Sequence, residues 1–98
     1  MPEMRFYITW PDGEKESCYS PSLVIGDFLK PGHTYALADF VDRCDQALTE
    51  ASNRVQQKFG YFCSSAMDQL GRIKEKANQF TTVENASVTV DTFSGYPA

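Results

Sequence analysis

Apolar and polar residues alternate at the start of the chain. The apolar positions are Met4, Phe6, Ile8 and Trp10. This period of two, with aromatic and β-branched residues, predicts a half-buried strand. The Pro-Asp-Gly segment at 11–13 predicts a type I turn with Gly13 in a bulge, after which residues 14–19 return as a second strand. This register sets Arg5 opposite Tyr19 and Phe6 opposite Cys18.

Helical spacing begins at residue 37. The pairs Asp39–Arg43 and Glu50–Arg54 are separated by four positions with the acid first, which supports a helix over residues 37–59. Gly60 follows, where a left-handed C-terminal residue is expected. The apolar stripe typical of one buried helix face consists of Leu37, Phe40, Val41, Cys44, Leu48, Ala51, Val55 and Phe59.

A second long helix is predicted over residues 64–80. Only a few residues separate it from the first, so the two should pack as an antiparallel helical hairpin. Its apolar stripe consists of Ala66, Met67, Leu70, Ile73, Ala77 and Phe80.

Shorter elements flank this helical hairpin. Ser20-Pro21 is typical of a helix N-cap followed by proline at the first helical position, and Pro31-Gly32 would end that short helix. Val88 and Val90 mark a third strand over residues 87–93. Residues 94–98 are expected to fray.

These elements predict a single α+β domain over residues 1–93, in the order β-β-α-α-α-β. A β-hairpin alone is only marginally stable in water. The N-terminal hairpin and the C-terminal strand should therefore form a small antiparallel sheet packed on the helical hairpin. The strand order within the sheet is left open.

Charge narrows the functional classes. The chain has nine Lys and Arg against thirteen Asp and Glu, a net charge of −4 over 98 residues. Nucleic acid and anionic membranes would repel such a surface, and no basic stripe compensates. No apolar run is long enough to span a membrane. The N-terminus lacks the features of a signal peptide, so a cytoplasmic location is expected.

The cysteines, Cys18, Cys44 and Cys63, are widely spaced and form no CxxC motif. In a reducing compartment they are expected to be free thiols, and no metal site or cofactor is expected. Cys18 and Cys44 fall on apolar faces, where cysteine is usually an inert small hydrophobe. Cys63 precedes a predicted helix N-terminus, which can activate a thiol. Alternatively, Cys63 only packs in the turn.

Three further polar residues are weak candidates. His33 is interpreted as an exposed turn residue rather than a general base or a metal ligand. Ser20 and Ser22 would bind an anion if they lie at a helix N-terminus. Helix capping is the simpler interpretation of both serines.

The sheet face opposite the helices is the predicted interaction face. It should carry Arg5, Tyr7, Thr9 and Tyr19. Tyrosine and arginine are favoured at protein interfaces. An ordinary solvated sheet face is an equally good interpretation.

Several segments resemble a known bacterial family. They include WPDG at residues 10–13, CYSPSLV at 18–24 and ADFVDR at 38–43. With smaller matches elsewhere, they resemble the short nitrogen-starvation-response proteins encoded beside a nitrilase in a bacterial gene cluster. The resemblance covers roughly residues 1–93 and implies a cytoplasmic role in the use of nitrile nitrogen. It assigns no catalytic residues, although Cys18 and Cys63 lie in matching segments.

The leading functional hypothesis is a non-catalytic accessory protein. It would bind a protein of the same gene cluster or form a homo-oligomer through the predicted interaction face. The alternative is a small ligand-binding protein or enzyme that uses the Cys63 thiol. A nucleic-acid regulator is disfavoured by the negative charge.

Overall fold

The computed structural model describes residues 4–60 and 64–94. The chain forms β1 (Met4–Thr9), β2 (Lys15–Ser20), α1 (Ile25–Phe28), β3 (His33–Ala36), α2 (Leu37–Phe59), α3 (Ser64–Asn78) and β4 (Ser87–Ser94). This arrangement confirms the α+β class and the packing of an antiparallel sheet on a helical hairpin. The sheet also includes β3, a strand that the sequence pattern did not predict.

The N-terminal hairpin has the predicted register. Arg5 pairs with Tyr19 and Phe6 pairs with Cys18. The turn is closed by two backbone bonds of 2.8 Å, from the Gly13 N–H to the Trp10 carbonyl and from the Trp10 N–H to the Glu14 carbonyl. Gly13 adopts a φ of 88°, the left-handed conformation that a bulge glycine requires.

The strand order, which the sequence left open, is β2-β1-β4-β3. β4 lies between β1 and β3 and is antiparallel to both, with a bulge in β1–β4 pairing between Tyr7 and Ile8. The predicted third strand over 87–93 extends one residue further, to Ser94. Of the predicted frayed tail, Ser94 therefore belongs to the sheet, and residues 95–98 lie outside the described part of the chain.

The prediction that Ser20 caps a helix is wrong. Ser20 is the last residue of β2, and α1 begins only at Ile25, with Val24 at its N-cap. The Ser20 hydroxyl instead donates to the Ser22 carbonyl at 2.7 Å. Such a local bond stabilises a turn, because serine side chains compete with helical backbone bonds.

The long helices follow the prediction closely. α2 has the predicted bounds and ends at Gly60, whose φ of 77° is left-handed. Both predicted ion pairs form, Asp39–Arg43 at 2.9 Å and Glu50–Arg54 at 3.1 Å. α3 ends at Asn78, two residues earlier than predicted. The side chain of Phe59 lies outside what the structure describes.

The core lies between the sheet and the helices. Trp10 is fully buried at its centre, stacked on Phe80 with ring centroids 6.0 Å apart and edge-on to Phe40 at 5.9 Å. Its indole N–H donates to Glu16 at 2.9 Å, so the polar end of the side chain is satisfied.

α3 also covers the edge of the sheet at β2. The Gln69 Oε1 accepts the outward N–H of Tyr19 at 3.0 Å, and Lys76 donates to Glu14 at 2.8 Å. Covering an edge strand with a helix protects it from pairing with other chains. None of the helices in the described ranges is long and apolar enough to cross a bilayer.

Candidate functional site

The predicted interaction face brings its four residues together. Arg5, Tyr7, Thr9 and Tyr19 lie on the sheet face that points away from the core, and all are at least partly exposed. We call this the outer sheet face. The Arg5 guanidinium lies 6.0 Å from the centroid of the Tyr19 ring, a weak cation–π contact.

Polar contacts cross the outer sheet face from strand to strand. Thr9 donates to Asp91 at 2.7 Å, and Lys15 donates to Thr9 at 3.0 Å. The hydroxyls of Thr34 and Thr89 are 2.9 Å apart. A partner would have to replace the water around these groups with equally good hydrogen bonds. This face is therefore costly to desolvate, and its role as an interface stays a prediction.

The two serines proposed for anion binding are already engaged. Ser20 and Ser22 are both buried, and the Ser22 hydroxyl accepts the Val24 N–H at 3.3 Å. The following helix, α1, has four residues and no side-chain cap. The hydroxyls of Ser20 and Ser22 therefore order the turn between β2 and α1, and they do not cap the helix.

Cys18 and Cys44 are free and buried. Burial raises the pKa of both thiols far above neutrality, and the neighbouring Glu16 carboxylate adds to the increase at Cys18. Both stay protonated at neutral pH and behave as small hydrophobic side chains. Cys63 lies outside the described residues, so its activation stays a prediction.

His33 is exposed, as interpreted from the sequence, but it is the first residue of β3 and not a turn residue. Its ring lies 6.5 Å from that of Tyr35, with the two planes tilted. Within residues 4–60 and 64–94, no three His, Cys, Asp or Glu side chains converge in a way that could hold a metal ion.

An apolar groove forms a second surface, which shares no residue with the outer sheet face. It has a volume of about 800 Å³ and lies between the N-terminal half of α2, the C-terminal end of α3 and the segment 80–86. We call it the α2–α3 groove. Its main apolar lining consists of Leu37, Val41, Ala77, Phe80, Val83 and Ala86.

The segment after α3 creates this groove. The Val83 N–H donates to the Phe80 carbonyl at 3.0 Å, and Asn85 adopts a left-handed φ of 58°. These turns lead the chain past the end of α3 to β4 and leave the space between α2, α3 and this segment open. Val83 remains 47% exposed, the only large hydrophobic side chain so exposed among the described residues.

Acidic side chains line one side of the α2–α3 groove. Asp42 and Asp45 project from α2, and Lys74 of α3 binds Asp45 at 2.8 Å. The hydrogen bond from Lys74 lowers the pKa of Asp45. Asp45 is thus paired with a lysine, while Asp42 accepts a hydrogen bond from the Gln46 amide at 2.8 Å.

Sequence reasoning assigned the groove residues to the core. Leu37, Val41 and Phe80 were counted in the two buried stripes, yet Leu37 and Val41 are only partly buried. Two signals could have identified them: they lie at the ends of their stripes, and Val83 stands in an otherwise polar segment after the second stripe. Gln69 was also missed, although it is a polar residue on the buried side of α3.

Comparison with known proteins adds one finding. The sequence model of a family described as nitrogen starvation-induced protein NitG matches residues 5–93, nearly the whole chain. No curated protein and no solved structure matches the chain.

Proposed function

Because the chain belongs to the NitG family of nitrogen starvation-induced proteins, we propose that it acts in the response to nitrogen starvation as a non-catalytic accessory protein. In this proposal it works in the bacterial cytoplasm and binds another protein, a product of the same nitrilase gene cluster. The binding surface is the α2–α3 groove.

The observation that carries the proposal is the exposed apolar lining of this groove. Transfer of apolar surface out of water contributes about 25 cal/mol per Å². Val83, Leu37 and Val41 offer such surface in a concave site, where a partner's side chain can be enclosed. A contiguous apolar patch on the surface of a small domain marks an interaction site more often than isolated exposed apolar residues do.

The charges around the groove define the partner's chemistry. Asp42, Asp45 and Lys74 line the groove, so the acidic groups there outnumber the basic one, and the whole chain carries a net charge of −4. A segment with aliphatic or aromatic side chains flanked by Lys or Arg is complementary to this site. Long-range attraction would also accelerate its association.

The outer sheet face is the competing surface for the same function. The cation–π contact between Arg5 and Tyr19 is the observation in its favour. Its polar contacts between strands make it harder to desolvate than the groove. The two surfaces share no residue, so single substitutions can test each surface separately.

The test begins with capture of the tagged protein from nitrogen-starved cells and identification of its partner by mass spectrometry. Binding of the purified partner is then measured by calorimetry. Val83→Asp should weaken binding by about 2 kcal/mol, roughly thirtyfold in Kd, because it places a charge in the apolar contact. Thr82→Asp is the matched control, since Thr82 is exposed and does not line the groove.

Two results would contradict the groove as the binding surface. One is a Kd that Val83→Asp leaves unchanged. The other is loss of binding in Tyr7→Glu, on the outer sheet face, while Val83→Asp binds normally. Light scattering of the purified chain distinguishes self-association, because a homo-oligomer in the absence of any partner would replace the proposed complex.

A further inference from the structure

A polar cleft separates the C-terminal half of β2 from the N-terminal half of α3. Its volume is about 350 Å³, within the range of small-molecule sites. Residues of the sheet and of the helix both line it, notably Arg5, Asp68, Gln69 and Arg72. It shares no lining residue with the α2–α3 groove.

Gln69 is the buried polar group of this cleft. The residue is only 7% exposed, and its Oε1 accepts the Tyr19 N–H at 3.0 Å. That bond fixes the orientation of the amide, because a flipped amide would set its NH₂ group against the N–H donor. The Nε2 is therefore directed away from Tyr19, and it is buried with no hydrogen-bond partner in the described structure. A buried donor of this kind favours an acceptor supplied from outside the chain.

Two charged side chains of the cleft, Asp68 and Arg72, have no partner among the described residues. Asp68 and Arg72 stand four residues apart on α3 with the acid first, the same spacing as Asp39 and Arg43, which pair at 2.9 Å. Within residues 4–60 and 64–94, however, neither Asp68 nor Arg72 has an ion pair or a hydrogen bond. Arg5 makes one long bond, of 3.4 Å, to Ser17. Two guanidinium groups and one carboxylate thus line the same cavity without strong partners of their own.

We propose that this cleft binds a small acidic amino acid, a ligand with two carboxylates and one ammonium group. Arg5 and Arg72 each take one carboxylate, since guanidinium groups match carboxylate geometry. Asp68 takes the ammonium group, and the Gln69 amide donates to a carboxylate oxygen. The three charged side chains carry a net charge of +1 and the ligand −1, so this cleft attracts an anion although the whole chain carries −4.

The first measurement is an NMR titration of the isotope-labelled chain with L-glutamate at low ionic strength. Shifts confined to the residues of β1, β2 and α3 that line the cleft are expected. Two analogues each lack one charged group of L-glutamate: glutarate lacks the ammonium group, and 4-aminobutanoate lacks one carboxylate. Both should bind at least about tenfold more weakly than L-glutamate. Glutarate that binds as tightly as L-glutamate would overturn the proposal, because recognition would then involve anionic charge alone.

Substitutions in the cleft then test the role proposed for each charged side chain. Arg72→Gln should weaken L-glutamate binding by about tenfold or more. Asp68→Asn should remove the preference for L-glutamate over glutarate, a result that a merely structural role would not produce. Arg54→Gln, on α2 and outside the cleft, is the matched control and should bind normally.

An absence of shifts at millimolar L-glutamate, or equal binding by Arg72→Gln, would overturn the site. Val83→Asp distinguishes this proposal from the protein-binding one. It should leave L-glutamate binding intact, because Val83 does not line the cleft.

Discussion

Gly13 and Gly71 differ in the backbone conformation that each adopts. Gly13 has a φ of 88° at the hairpin turn, whereas Gly71 lies inside α3 and is not among the residues with positive φ. An added Cβ would meet no atom within 4 Å at either position. The effect of a methyl group therefore depends only on backbone preference and on the conformational entropy of the unfolded chain.

We expect opposite effects when each glycine is replaced by alanine. Gly13→Ala should lower the free energy of unfolding by about 1–2 kcal/mol, because L-residues rarely adopt this φ. Gly71→Ala should raise it by about 0.5–1 kcal/mol, because alanine favours a helix interior. Urea denaturation of both variants beside the parent chain measures these differences. A stabilised Gly13→Ala variant would contradict the bulge conformation.

At the scale of elements, one ion pair joins the helical hairpin across its interface. Lys74 of α3 binds Asp45 of α2 at 2.8 Å, and both side chains are nearly half exposed. The hydrogen bond from Lys74 lowers the Asp45 pKa below its ordinary value of 3.8. The unfolded chain lacks this bond, so it binds a proton more readily at this position than the folded chain does.

This difference predicts a contribution to stability that depends on pH. Because the Asp45 pKa is lower in the folded chain, the ion pair makes its full contribution to stability above about pH 4. This contribution is lost as the pH falls through the pKa of Asp45 in the folded chain. Asp45→Asn should therefore destabilise the fold at neutral pH and make its stability less sensitive to acid. Thermal unfolding between neutral pH and acidic pH measures this. Asp27→Asn, which removes another exposed carboxylate, serves as the control for the loss of one negative charge. An unchanged profile for Asp45→Asn would show that the pair contributes nothing, as solvent screening allows for exposed pairs.

At the scale of the whole molecule, Trp10 connects the layers of the fold. It follows β1, stacks on Phe80 after α3, and contacts Phe40 of α2 through its ring edge. Because it is only 1% exposed, its fluorescence reports whether the sheet stays packed on the helices.

We expect unfolding to be a single transition. Trp10 fluorescence and far-UV circular dichroism should give coincident midpoints in urea, because one core joins the sheet and both long helices. If the fluorescence changed at lower urea than the dichroism did, the hairpin would separate from the helices before they unfold. That result would contradict a single cooperative core.

Local patterns were sufficient for the elements whose residues interact mainly with near neighbours in sequence. The hairpin register followed from Pro11 and Gly13, since turn geometry determines which residues face each other. The bounds of α2 followed from its apolar stripe and from Gly60. The shared face of Arg5, Tyr7, Thr9 and Tyr19 followed from strand alternation. Each of these features depends on contacts over a few residues.

Long-range contacts decided the rest. Residues 33–36 become β3 because they pair with β4, more than fifty positions away, and no local alternation marks them. The Ser20 hydroxyl bonds within a turn instead of capping a helix. A helix cap and a serine turn have similar sequences, so only the surrounding fold chooses between them.

The two candidate sites also depend on contacts between residues that are distant in sequence. The α2–α3 groove exists because the segment 80–86 passes the helix ends on its way to β4, which leaves Val83 exposed. The polar cleft exists because α3 lies along the edge of β2, so that Arg5, Asp68 and Arg72 line the same cavity. The sequence by itself determined the composition of each element and the side of the hairpin that faces the core. Only the tertiary structure decided which side chains from distant elements share a cavity, because that depends on how helices and strands pack together.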